Sequence, residues 1–237
     1  MENLFFAGRN ISMTHTAMSS VRVMATCGLL GEAVGRAAAI CAEYNITPHG
    51  VYKDKERLAE LQRRLMAGDC FLPSKRRGIA PLCLCAALHA EAEMLRNGED
   101  RAHRLYGTDE GSAFYHAAAG ERITYRFEKS ALSRVHIVFD SDLNRNTQEG
   151  SVVDRTHNTR ILKRLDSPDL HMPKTLCREF LLIGSLDGRE TELLHVNENR
   201  KRAYDLKLSG EYDSLTLIPL SLWGEGERIP VVSFDFA

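Results

Sequence analysis

The spacing of apolar residues changes partway along this chain, and that change fixes its fold class. Over residues 1–70 apolar side chains recur at helical intervals of three and four. Leu29, Leu30, Val34, Ala38 and Cys41 share one face, and Leu58, Leu61 and Leu65 share another. From about Ala113 the period falls to two. Ile123, Tyr125 and Phe127 alternate with Thr124 and Arg126, and Val135, Ile137 and Phe139 with His136 and Val138. Further short runs at 180–186, 192–196, 203–208, 214–220 and 231–236 read as strands, with Asp187-Gly188 as a tight-turn signal between two of them. No long helical pattern separates these strands, so parallel βαβ units are not expected. The expectation is α+β overall, helices followed by an antiparallel β-sandwich of jelly-roll type.

Within the helical part, residues 3–12 read as a short buried strand and a polar connection. A helix follows from about Thr26 to Tyr44, with Thr26 as its N-cap and Asn45 and Pro48 ending it. A second helix is expected over 53–66, closed by Gly68 and Asp69. The segment 71–112 is less regular: Leu82 to Leu95 has helical composition, but Pro81 and the polar run at 97–100 interrupt it. The organisation expected is 1–70, a connector over 71–112, and a sandwich over 113–237.

Composition narrows the function classes. The 237 residues carry a formal charge of -1, which argues against general affinity for nucleic acid or anionic membrane. No apolar run is expected to reach the ~20 residues that span a bilayer, and no signal peptide is visible. Six irregularly spaced cysteines without a secretion signal point to reduced thiols and a cytoplasmic location. Cys83 and Cys85 lack a second ligand pair, and Asp140, Asp142, Asn144 and Asn146 lead into Arg145 and Ser151 where a calcium loop of the EF-hand type needs Gly and Glu. No metal is expected, and the acidic run reads as a strand-end turn or a looser edge site. Trp223, the single tryptophan, serves either as a sugar platform or as core.

The N-terminal helix carries the chemistry. Gly28, Gly31 and Gly35 are spaced to share one face, and each glycine costs a helix interior roughly 1 kcal/mol relative to Ala. Either the helix packs against a sheet, or its backbone closely approaches a ligand; its first amides and positive dipole end suit a phosphate or a flavin carbonyl.

The ordered text Ala7-Gly8-Arg9, Ile11-Ser12, Thr14-His15, Arg22-Val23 and Cys27-Gly28-Leu-Leu-Gly31 resembles the C-terminal flavin-site segment of FAD-dependent oxidoreductases with a glutathione-reductase-like fold. Asn10 stands where that family often carries Cys. The resemblance implies FAD as cofactor. It places Gly8, Arg9, Ser12, Thr26, Cys27, Gly28 and Gly31 at the cofactor and makes His15 and Arg22 candidates for catalysis. Bland roles stay open beside these: Arg9 bridging to a loop, His15 donating to a carbonyl. Such a domain opens with a Gly-x-Gly-x-x-Gly turn, which this chain lacks. The expectation is therefore the C-terminal portion of an oxidoreductase acting on an unnamed small molecule, inactive alone. It would pair with a missing N-terminal FAD-binding half or self-associate through exposed apolar surface. Residues 113–237 resemble the galactose-binding-like, discoidin-type sandwich of some members, on Val138 to Asn144, Met172 to Thr175 and Leu220 to Gly224. The competing reading is a carbohydrate- or partner-binding sandwich with a non-catalytic helical adaptor.

Overall fold

The computed structural model describes residues 1–101, 114–141 and 171–237. Asp142, Asn144 and Asn146 lie outside the described residues. The chain divides into two compact units, Met1–Gly78 and Ile79–Ala237.

The first unit is helical: α1 (His15–Val21), α2 (Met24–Tyr44), α3 (Pro48–Lys53) and α4 (Lys55–Ala67). Asn45 ends α2 in the left-handed conformation (φ 51°), as its short polar side chain permits. Pro48 does more than stop α2. It occupies the first turn of α3 behind a Thr47 cap, where a missing N–H costs nothing. Asp54 caps α4 by accepting from the Glu56 and Arg57 amides at 2.8 and 3.3 Å. Arg57 lies over the Tyr44 ring at 3.9 Å, and Arg64 reaches Glu43 at 2.6 Å, tying α4 to the end of α2.

Three expectations fail here. Residues 3–12 form no strand, because a strand exists only through a ladder partner and none of the described residues pairs with them. Thr26 is not the N-cap of α2. The helix begins two residues earlier, behind Val23 (φ -108°, ψ 151°), which supplies no side-chain cap. Among the described residues, α2 is also long and apolar enough by length and composition to cross a bilayer. Much of that apolar character comes from its alanines, which contribute little apolar area each. The Glu32–Arg36 pair (2.8 Å) sits mid-helix, and Ala37 and Ile40 are buried.

The second unit is a β-sandwich. One sheet has the order β1-β8-β3-β6 and the other β2-β7-β4-β5, every pairing antiparallel. The strands are β1 (Tyr115–Ala118), β2 (Ile123–Ala131), β3 (Arg134–Phe139), β4 (Cys177–Leu186), β5 (Arg189–Val196), β6 (Ala203–Lys207), β7 (Glu211–Leu222) and β8 (Arg228–Phe236). The Asp187-Gly188 turn takes positive φ at both residues (52° and 77°), matching the hairpin geometry its sequence implies. Aromatic contacts join the sheets. Tyr125 of β2 meets Phe234 and Phe236 of β8 edge-on at 5.2 Å, and Phe139 of β3 packs on Phe180 of β4 at 4.9 Å. The Tyr125 hydroxyl donates to the Phe234 carbonyl at 2.7 Å, which makes a fully buried phenol tolerable. The short α5 (Pro81–Cys85) and a 3-10 helix (Ala90–Arg96) belong to this unit, closing the core with Cys83, Ala92 and Leu95. Arg96 ties them by donating to the Cys83 and Ala86 carbonyls at 2.6 and 2.8 Å.

Candidate functional site

The residues named from the flavin resemblance fall into three local settings. Gly8, Arg9 and Ser12 lie in the irregular segment before α1. Gly8 has φ +87°, so glycine is required there by the backbone itself, whatever lies nearby. His15 and Arg22 bracket α1: His15 opens it behind the Thr14 cap, and Arg22 closes it by donating its amide to Met18 at 3.3 Å. Seven residues of helix separate them by roughly 10 Å, so one small reacting group does not touch both from this arrangement. Thr26, Cys27, Gly28 and Gly31 occupy the first two turns of α2.

The start of α2 has two properties that suit a large, electron-rich ligand. With Val23 as cap, no side chain satisfies the first-turn amides, which keep their donors and their share of positive charge. A Cβ built on Gly28, Gly31 or Gly35 meets nothing within 4 Å. The glycines therefore do not serve packing inside their own unit, because the face they clear stands open. Around them the unit leaves Val23, Met24 and Leu29 exposed, while only Ala37, Ile40, Val51 and Leu65 among its apolar residues are buried. Such sparse burial is small for 78 residues and leaves apolar surface for something else to cover.

The Cys70, Cys83 and Cys177 thiols are not poised for chemistry. Burial pushes Cys83 up to about 11 and Cys177 up to about 12, and burial with the hydrogen bond to Glu32 (3.1 Å) pushes Cys70 up to about 11. Thiols raised this far are protonated at neutral pH and react slowly. Cys83 is buried while Cys85, two residues on, is exposed, so the pair does not face one ligand. Labelling of the native protein with Ellman's reagent at neutral pH is expected to modify Cys85 quickly and Cys83 and Cys177 only after unfolding. Equal native rates at Cys83 and Cys85 would contradict this packing. Among the described residues no three His, Cys, Asp or Glu side chains are placed to hold a metal ion.

Trp223 is committed within the sandwich. Its indole N–H donates to the Asn199 carbonyl at 2.6 Å, and Arg178 covers its ring at 5.1 Å, so that ring face is not a bare platform.

Residues 1–65 of the 237 match the family model described as FAD dependent oxidoreductase. No curated protein sequence matches. Solved structures resemble part of the chain. A family 32 carbohydrate-binding module of EndoD from Streptococcus pneumoniae is 12% identical with a TM-score of 0.43, covering 65% of this chain and 95% of that module. A GH31 family 32 module bound to GalNAc is 13% identical with a TM-score of 0.42, covering 63% and 89%. A chitosan-binding module from a Paenibacillus sp. IK-5 chitosanase/glucanase is 10% identical with a TM-score of 0.38, covering 64% and 92%.

Proposed function

We propose that residues 1–65 are the flavin-site closing segment of an FAD-dependent oxidoreductase, with the start of α2 facing the cofactor. The observation that carries this reading is the family match over those residues. The uncapped amides of α2 and the open face at Gly28 and Gly31 agree with it, since a ligand can approach the helix backbone there without meeting a side chain. Bound FAD would supply the redox chemistry. The chain's own residues contribute amide donors, a helix dipole and exclusion of water from one side of the ring. Arg22, immediately before the Val23 cap, is the nearest cation in sequence to the amides that would face the cofactor. The pyrophosphate turn must come from another segment, because no Gly-x-Gly-x-x-Gly occurs among these residues.

The test is a graft. Residues 1–65 replace the matching segment of an FAD-dependent oxidoreductase recognised by the same family model, and the purified chimera is assayed for visible flavin absorbance. Retained FAD is the expected result. A folded chimera without flavin sinks the proposal.

A further inference from the structure

A second site lies on the sandwich, independent of the flavin reading. The outer face of the β2-β7-β4-β5 sheet holds a groove of about 570 Å³, within the roughly 300–1,000 Å³ typical of small-molecule sites. Its floor is polar by register. Arg126, Ser214, Ser185 and Glu190 are successive cross-strand partners, so they form one row spanning all four strands. Thr124 and Thr216 begin the next row, with their hydroxyls 2.9 Å apart. The intervening residues Tyr125, Leu215, Leu217 and Leu182 point the other way and are fully buried in the core.

Charge is segregated along this row. Arg126 stands on edge strand β2, exposed and, among the described residues, without an ion pair. Glu190 stands on the opposite edge strand, β5, where Arg122 pairs with it. Asp213 also lines the groove and already accepts from the Asp187 amide at 2.7 Å. Arg122 also lines the groove and compensates Glu190, so it is Asp213 that disfavours a multiply charged anion such as phosphate. A neutral polyol leaves Arg126 unused. The complementary ligand has one carboxylate for Arg126 and several hydroxyls that donate to Asp213 and Glu190 and exchange hydrogen bonds with the Ser and Thr hydroxyls.

We infer that this sheet face binds a monoanionic polyhydroxy ligand, a sugar acid, with Arg126 as the carboxylate-selecting residue. The probe is D-glucuronate, titrated into the isotope-labelled full chain and followed by backbone amide shifts, with D-glucose and inorganic phosphate as comparison ligands. Saturable shifts are expected in β2, β4 and β7 around the row. Glucuronate should bind about tenfold or more tightly than glucose, since a charge-assisted hydrogen bond separates them. Arg126→Gln, on an exposed side chain, should bring glucuronate down to the glucose level without loss of spectral dispersion. Ser185→Gln, which fills the middle of the row, should abolish binding of both sugars. Equal affinity for glucose, an unchanged affinity in Arg126→Gln, displacement of glucuronate by equimolar phosphate, or no shift in the row overturns the inference.

Discussion

Asn199→Ala is expected to cost the sandwich about 3–4 kcal/mol, the largest single-residue effect short of emptying the aromatic core. Asn199 is 1% exposed and fully engaged. Its side-chain amide donates to the Cys177 carbonyl at 2.8 Å, and its side-chain oxygen accepts from the Lys201 amide and the Tyr204 hydroxyl, both at 2.7 Å. Its backbone amide donates to Arg178 at 2.8 Å, and its carbonyl receives the Trp223 indole. These contacts link the start of β4, the entry to β6 and the end of β7. Alanine leaves the buried Cys177 carbonyl, the part-buried Lys201 amide and a half-buried phenol without their partners, each costing about 1 kcal/mol. For a unit of this size the midpoint of thermal unfolding should fall on the order of 10 °C. Asn199→Asp should be no better, because it removes the donor to Cys177 and buries a charge in its place. Denaturant melts read by Trp223 fluorescence check this, with the exposed neighbour Asn197→Ala as a control expected within about 0.5 kcal/mol. A loss below about 1 kcal/mol for Asn199→Ala would mean the hub is not holding the three strands together.

Little of that hub was legible in the sequence. Asn199 sits in a polar run, Glu198-Asn-Arg-Lys201, that reads only as a turn between strands, and its partners lie up to 24 positions away. Strands such as β2 and β4 were legible from alternation, because one face lies on the core and the other is more exposed, whereas β3 and β8 are buried on both faces and were legible from their apolar and aromatic runs. The short β1 and the 3-10 helix were not. Their burial comes from covering the rim of the sandwich, not from a period of their own. The first strand fails for the same physical reason in reverse. Leu4, Phe5 and Phe6 have strand composition, but composition does not provide a ladder partner. The start of α2 was misplaced because cap chemistry favours Thr26, whereas helix-forming Met24 and Ala25 extend the helix past it. The groove on the outer sheet was half legible. Thr124 and Arg126 show as outward residues, but only the register across β7, β4 and β5 places them opposite Ser214, Ser185 and Glu190.

Gly28 and Gly31 should respond to substitution with opposite sign in two settings. In this chain by itself, Gly28→Ala and Gly31→Ala should each stabilise the helical unit by about 0.5–1 kcal/mol, because the added methyl meets open space and glycine's helix penalty is removed. In the flavin-holding chimera the same face would lie against the cofactor, and the methyl would displace either the ring or the helix. Gly28→Val with Gly31→Val should reduce retained flavin tenfold or more, a loss of about 1.4 kcal/mol or greater in cofactor binding. The two measurements separate explanations that either one alone leaves tangled. A helix that keeps glycine merely to pack on a neighbouring protein surface would lose stability or solubility in the chimera while keeping flavin stoichiometric in the folded fraction. A helix whose glycines admit the cofactor would keep its fold and lose its colour. Marginal burial in the unit makes the first measurement sensitive, since gains of this size are a sizeable share of what so few buried apolar residues supply. Chimeras that hold flavin equally well with Gly, Ala or Val at both positions would remove the open face of α2 from the flavin site.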